Sequence, residues 1–103
     1  MITFVRSARI QQGTAIEAAM EFAVKVAMYL SENHGTDTQV QHNVGGPVYQ
    51  VHWVTTVENL AEVDQLNQKL QADERYGSLL ATAREQDLFD VSSIVDRLFR
   101  SVP

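Results

Sequence analysis

Residues 47–58 read PVYQVHWVTTVE, and this stretch decides the fold. It is dense in β-branched and aromatic residues, it contains the only Trp of the chain, and a Gly45-Gly46 pair precedes it. Such a composition after a turn signal is typical of a β-strand. We therefore predict a central strand over residues 47–58, with the other segments as its neighbours.

Residues 38–44 alternate weakly and predict the strand that precedes the central one in a hairpin. A two-residue turn would place His42 opposite Tyr49, Val40 opposite Val51, and Gln39 opposite His52. This turn places Trp53 on an apolar face and His52 on a polar face. A Gly followed by Pro resists the tight-turn geometry, and a loop one residue longer would exchange the two faces of residues 38–44.

The segments before the hairpin predict a strand and a helix. Residues 2–10 are rich in β-branched residues, and Arg6 stands on their apolar face, where a strand end or an ion pair could explain it. Residues 14–17 read TAIE and match a capping box. Apolar residues then recur at steps of three and four up to Leu30, and Gly35 suits the left-handed end of a helix.

The segments after the hairpin predict a second helix and a last strand. Asn59 is a favourable helix cap, and Glu62 follows it three residues later. Residues 72–75 interrupt the helical pattern. A further helical piece then has four inward residues, which are Tyr76, Leu79, Leu80 and Ala83. Residues 91–99 predict the last strand.

The order of elements is therefore β-α-β-β-α-β, which predicts one α+β domain of the ferredoxin-like type over residues 1–103. Its four-stranded antiparallel sheet has the first and third strands in the middle and both helices on one face. The uncovered face would carry both apolar and polar residues, namely Thr3, Val5, Ser7, Val48, Gln50, His52 and Val54. Because this mixture suits neither free solvent nor a dry core, we predict a homodimer with the two open sheet faces in contact and a cavity for a small molecule.

Three segments resemble the second half of a NIPSNAP-type domain. They are residues 51–54 (VHWV), residues 58–62 (ENLAE) and residues 70–80, in which Glu74 and Tyr76 stand where that family favours Pro and Trp. The likeness covers about half of the chain. More broadly, the chain resembles the dimeric α/β-barrel superfamily, which includes the antibiotic-biosynthesis monooxygenases. This resemblance implies a ferredoxin-like protomer, a sheet-to-sheet homodimer and a cavity between sheet and helices.

The composition argues against several classes of partner. The net charge is −5 and the eight Lys and Arg residues are scattered, so we expect neither nucleic acid nor a membrane surface as a partner. The chain has no cysteine, which fits a reducing cytoplasm. We therefore expect a cytoplasmic protein and predict no cofactor.

His52 is the strongest candidate for a catalytic residue, since an imidazole can act as an acid or a base near neutral pH. The alternative is a structural role, in which His52 only forms a hydrogen bond with a neighbouring residue of the sheet. Gln50, Asn43 and Arg9 join it as candidate ligand-binding residues. We predict that Trp53 points under the helices, although a shifted alternation would place it in a ligand cavity. The spacing of the three His residues matches no metal motif, so no metal site is predicted.

These observations leave three functions open. The first is a ligand-binding or regulatory domain without catalysis, as in NIPSNAP-like proteins with no established reaction. The second is a cofactor-independent monooxygenase, isomerase or lyase-like enzyme that acts on a small aromatic or polyketide-like substrate. The third is a structural dimerisation domain. Only the second requires a constellation of catalytic polar groups.

Overall fold

The computed structural model describes residues 1–103 and has the α+β ferredoxin-like arrangement that the sequence predicts. Its elements are β1 (Ile2–Ile10), α1 (Ile16–His34), β2 (Asp37–His42), β3 (Gln50–Val57), α2 (Leu60–Gln71), α3 (Glu74–Glu85) and β4 (Phe89–Arg100). The antiparallel sheet has the strand order β2-β3-β1-β4, which confirms that β1 and β3 are central. The second helical segment is divided into α2 and α3.

The alternation of β1 assigns its residues to the two faces of the sheet. Ala8 pairs with Val51 under the helices, whereas Ser7 pairs with His52 on the uncovered face. We call these two surfaces the helix face and the open face.

The core lies where α1 crosses the helix face. Its first cluster consists of Ile10, Ala19, Ala23 and Val51, and both alanines are fully buried. Small alanine side chains let the helix backbone approach the strands closely, so this half of the molecule is tightly packed. The second cluster consists of Phe22, Val26, Leu30 and Leu88, and Trp53 and Phe89 pack against both clusters.

The hairpin differs from the prediction. Residues 43–49 form a longer loop, so His42 pairs with Val51 rather than with Tyr49, and Val40 pairs with Trp53. Tyr49 has a positive φ of 61°, which an extended strand cannot accommodate, so β3 begins at Gln50 instead of residue 47. Val48 therefore lies in the loop and not on the open face. The pairing moves by two residues, and for this reason the faces of β2 and β3 remain as predicted.

The ends of α1 and α2 test the capping predictions. Asn59 caps α2 as predicted, because its Oδ1 accepts a hydrogen bond from the Glu62 amide at 3.0 Å. Gly35 ends α1 in the left-handed conformation, with φ 65°. The capping box at the start of α1 is wrong, since the helix begins after Ala15 without a side-chain cap. The Thr14 hydroxyl instead donates to the carbonyl of Asp87 at 3.0 Å.

The remaining boundaries differ at the ends of two strands. The strand predicted over residues 38–44 runs from Asp37 to His42, and the strand predicted over residues 91–99 runs from Phe89 to Arg100. No helix in the structure combines the length and the apolar character that a membrane crossing requires.

Candidate functional site

A cavity of about 230 Å³ lies between the helix face of the sheet and helices α2 and α3. Helices α2 and α3 have no buried residue, whereas α1 packs directly onto the strands. The apolar side of α2 and α3 packs only partly against the core and also lines this cavity. Sixteen of the twenty lining residues are hydrophobic, among them Val26, Val57, Val63, Leu66, Leu70, Leu80, Phe89 and Ile94.

Trp53 forms a rigid part of the cavity wall. Its Nε1 donates a hydrogen bond to the Ala23 carbonyl of α1 at 3.1 Å. Its ring meets Phe89 edge to face, with ring centroids 5.5 Å apart. This confirms that Trp53 points under the helices, and it also places the indole against the cavity. Because both contacts fix the ring, this part of the site is preorganised.

One residue of an ion pair belongs to the cavity lining. Arg6 lines the cavity, and its Nε and Nη2 donate to the two carboxylate oxygens of Asp96 at 2.7 and 2.9 Å. The hydrogen bonds from Arg6 hold the pKa of Asp96 below its ordinary value, and the same bonds raise the pKa of Arg6. The side chains of Arg6 and Asp96 are 40% and 42% exposed. Solvent therefore reaches the ion pair.

Tyr76 of α3 lies near this pair and also lines the cavity. Burial raises the pKa of Tyr76 above its ordinary value, so its hydroxyl stays protonated at neutral pH and can donate a hydrogen bond. Asn67, Thr55 and Arg84 are the other polar lining residues. The site thus joins a large apolar wall to a small number of hydrogen-bond donors.

His52, the predicted catalytic residue, lies on the open face, away from this cavity. Its Nδ1 is 2.6 Å from the Ser7 hydroxyl, and its Nε2 is 2.6 Å from the Asn43 amide oxygen. The structure therefore joins His52 and Asn43, two of the predicted site residues. Ser7, which is not among the predicted site residues, is the other partner of His52.

Gln50 and Arg9, the other predicted ligand-binding residues, pair with each other across β1 and β3 on the open face. The Arg9 guanidinium donates to Asp90 at 2.8 Å. Neither residue lines the cavity, and a ligand role for them stays a prediction. The structure contains no group of three His, Cys, Asp or Glu side chains that could hold a metal ion.

Comparisons with solved structures identify the architecture. A NIPSNAP-family protein of unknown function from Agrobacterium tumefaciens matches with a TM-score of 0.79 and 20% sequence identity, over 98% of this chain and 87% of that chain. A second NIPSNAP-family protein from the same organism matches with a TM-score of 0.73 and 18% identity, over 98% and 92% of the two chains. A candidate antibiotic biosynthesis monooxygenase from Deinococcus radiodurans has a TM-score of 0.69 and 10% identity, over 100% and 94%.

No protein-family model matches the chain, and the search of curated proteins finds no match. At these identities the structural likeness concerns the fold and not the activity. The chain therefore shares the ferredoxin-like fold of NIPSNAP-family proteins and of antibiotic-biosynthesis-monooxygenase-like proteins.

Proposed function

We propose that this chain is a homodimeric, cytoplasmic small-molecule-binding domain whose ligand occupies the cavity between the sheet and helices α2 and α3. The observation that carries this proposal is the cavity itself, with its volume of about 230 Å³ and its mostly apolar lining. Binding sites for small molecules are usually concave and apolar, with a few well-placed polar groups. Arg6, Thr55, Asn67, Tyr76 and Arg84 are such groups here.

The placement of His52 favours binding over catalysis in this cavity. A general acid or base must reach its substrate directly or through one water molecule. The central sheet separates His52 from the cavity. The alternative of a cofactor-independent monooxygenase or isomerase would therefore need other residues for its chemistry there, or a substrate on the open face.

The homodimer is supported by the exposed apolar residues of β4. Val95 and Phe99 lie on the open face and are 42% and 52% exposed. Leu98, on the helix face, is 51% exposed. A strand that is apolar on both faces is expected to be covered, and exposed apolar patches commonly mark protein interfaces. We propose that a second copy covers the open face.

The cavity can be tested with N-phenyl-1-naphthylamine, an uncharged dye that fluoresces in apolar sites. We expect one dye molecule per chain and a change in the emission of Trp53, because the indole lies in the cavity wall. Ala83 also lines the cavity, so Ala83→Phe should weaken dye binding about tenfold or more by filling the space.

Ala61→Phe provides the matched control, because Ala61 is an exposed residue of α2 outside the cavity lining. It should leave dye binding unchanged. Equal weakening by both substitutions, or no binding to the unmodified protein, would contradict the proposal.

A further inference from the structure

The charged residues that line the cavity are both basic. Arg6 and Arg84 are the only charged residues in its lining, which contains neither Asp nor Glu. This is unexpected in a chain with 13 acidic and 8 basic residues and a net charge of −5. A cavity with positive charge at a mostly apolar wall is complementary to a molecule with an apolar body and a negative group.

Arg6 can bind a carboxylate, and in this structure its guanidinium binds the carboxylate of Asp96. Asp96 is held by the Nε and Nη2 of the guanidinium, in the two-pronged geometry that Arg forms with carboxylates. The Nη1 of Arg6 has no hydrogen-bond partner within the chain. Asp96 itself lies outside the cavity lining. A ligand in the cavity can therefore approach the free edge of the guanidinium or exchange with Asp96.

Neighbouring donors extend this site. Tyr76 lines the cavity near Arg6, and its hydroxyl has no hydrogen-bond partner within the chain. The Asn67 amide lines the cavity as well. Carboxylate oxygens accept several hydrogen bonds at once, so these donors suit an anionic group better than a neutral alcohol.

We propose that the cavity selects an amphipathic anion, namely a lipophilic carboxylate whose apolar body packs against Trp53 and Phe89 and whose carboxylate binds Arg6. This inference rests on the proposed function, since it names the class of ligand for the same cavity. Hydrogen bonds between charged groups are the strongest that such a site can offer, and they distinguish a carboxylate from an alcohol of the same chain length.

The test is displacement of N-phenyl-1-naphthylamine by octanoate and by octan-1-ol at neutral pH. The two molecules have the same number of carbon atoms, and the alcohol enters purely apolar sites more readily because it carries no charge. We expect octanoate to displace the dye at a concentration about tenfold lower than the alcohol.

Three variants locate the effect. Arg6→Gln should abolish the preference for octanoate and leave displacement by octan-1-ol unchanged. Asp96→Asn should strengthen octanoate binding several-fold, because it removes the internal competitor for the guanidinium. Arg97→Gln is the matched control, since Arg97 pairs with Val5 on the open face, and it should preserve the preference.

The outcomes separate this inference from the proposed function. If both molecules displace the dye equally well, the selection of anions is wrong and the binding cavity stands. If neither the dye nor octanoate changes the emission of Trp53, both proposals fall. If Arg6→Gln does not fold, Asp96→Asn still decides, because unchanged or weaker octanoate binding in that variant overturns the role of Arg6.

Discussion

His52 occupies a defined position on the open face, between two side chains with different chemistry. The Asn43 amide oxygen can only accept a hydrogen bond, so the imidazole proton lies on Nε2. The Asn43 amide nitrogen donates to the Gly45 carbonyl at 3.5 Å, in agreement with this orientation. In the neutral imidazole, Nδ1 therefore accepts a hydrogen bond from the Ser7 hydroxyl. This chain of hydrogen bonds also ties the loop of residues 43–49 to the centre of the sheet.

Ser7 should contribute measurably to stability through this hydrogen bond. Ser7 is only 8% exposed, so Ser7→Ala leaves His52 Nδ1 without a donor in a nearly dry environment. We expect the free energy of unfolding to fall by about 1 kcal/mol, as measured by urea denaturation. Ser101→Ala, at an exposed residue without a side-chain hydrogen bond, should change it little. The same small effect for both variants would argue against the hydrogen bond.

At the scale of single residues, the sequence predicted the sheet face of a side chain better than its hydrogen-bond or ion-pair partner. Alternation correctly placed Trp53 and His52 on opposite faces. Arg6 was visible as a charged residue on an apolar face, but its partner Asp96 lies 90 residues away, and only the pairing of β1 with β4 joins them. Ser7 carries no chemical signature of its own. Its contact with His52 becomes visible only from the register of β1 against β3.

At the scale of elements, one carboxylate between α2 and α3 connects helix α1 to the start of helix α3. Asp73 caps α3 by accepting from the Tyr76 amide at 3.1 Å. It also accepts from the Tyr29 hydroxyl at 2.6 Å and from His34 Nε2 at 2.8 Å, both of which belong to α1. These hydrogen bonds, that of Tyr29 first, hold the pKa of Asp73 well below its ordinary value.

The low pKa of Asp73 predicts a loss of stability in acid. Its folded pKa lies below the unfolded value near 4, so its contribution is complete above that pH and is lost as the pH falls below it. Asp73→Asn can still cap α3 but does not titrate. Between neutral pH and about pH 3, we expect the free energy of unfolding to decrease less for the variant than for the unmodified protein.

The control for this measurement is Asp37→Asn, because Asp37 is exposed and makes no side-chain hydrogen bond. Its pH profile should follow that of the unmodified protein. Parallel profiles for all three proteins would show that Asp73 is not the titrating group.

The helix ends show which capping predictions hold in the structure and which do not. The Asn59 signal succeeded because its partner, the Glu62 amide, is three residues away in the same turn. The TAIE match at residues 14–17 failed because a distant acceptor, the Asp87 carbonyl, engages the Thr14 hydroxyl. The His34–Asp73 contact could not be predicted either, since it depends on how α1 packs beside the α2–α3 junction. Local pattern is reliable only where no tertiary contact competes with it.

At the scale of the whole molecule, three helices cover one side of the sheet and leave the other side bare. The order of elements was enough to predict this architecture. The cavity between the sheet and helices α2 and α3 was not predicted as the primary site, because its position depends on the distance between these helices and the sheet. Periodicity gives the face of a helix but not that distance.

The proposed homodimer makes a prediction about β4. Phe99→Glu places a charge on the open face and should convert a dimer into single chains, as measured by light scattering at micromolar concentration. Met28→Glu is the control, because Met28 is 55% exposed on α1, in the helix layer. Dissociation in both variants, or a single-chain mass for the unmodified protein, would remove the argument for a sheet-to-sheet dimer.

The most direct test of the whole account is a methyl NMR spectrum of Val and Leu residues with bound N-phenyl-1-naphthylamine. The dye rings should shift the methyl signals of Val26, Leu70 and Leu80, which line the cavity, while Val5 and Val54 on the open face keep their positions. Shifts at Val5 and Val54 with unchanged cavity methyls would place the ligand on the opposite side of the sheet and contradict the account.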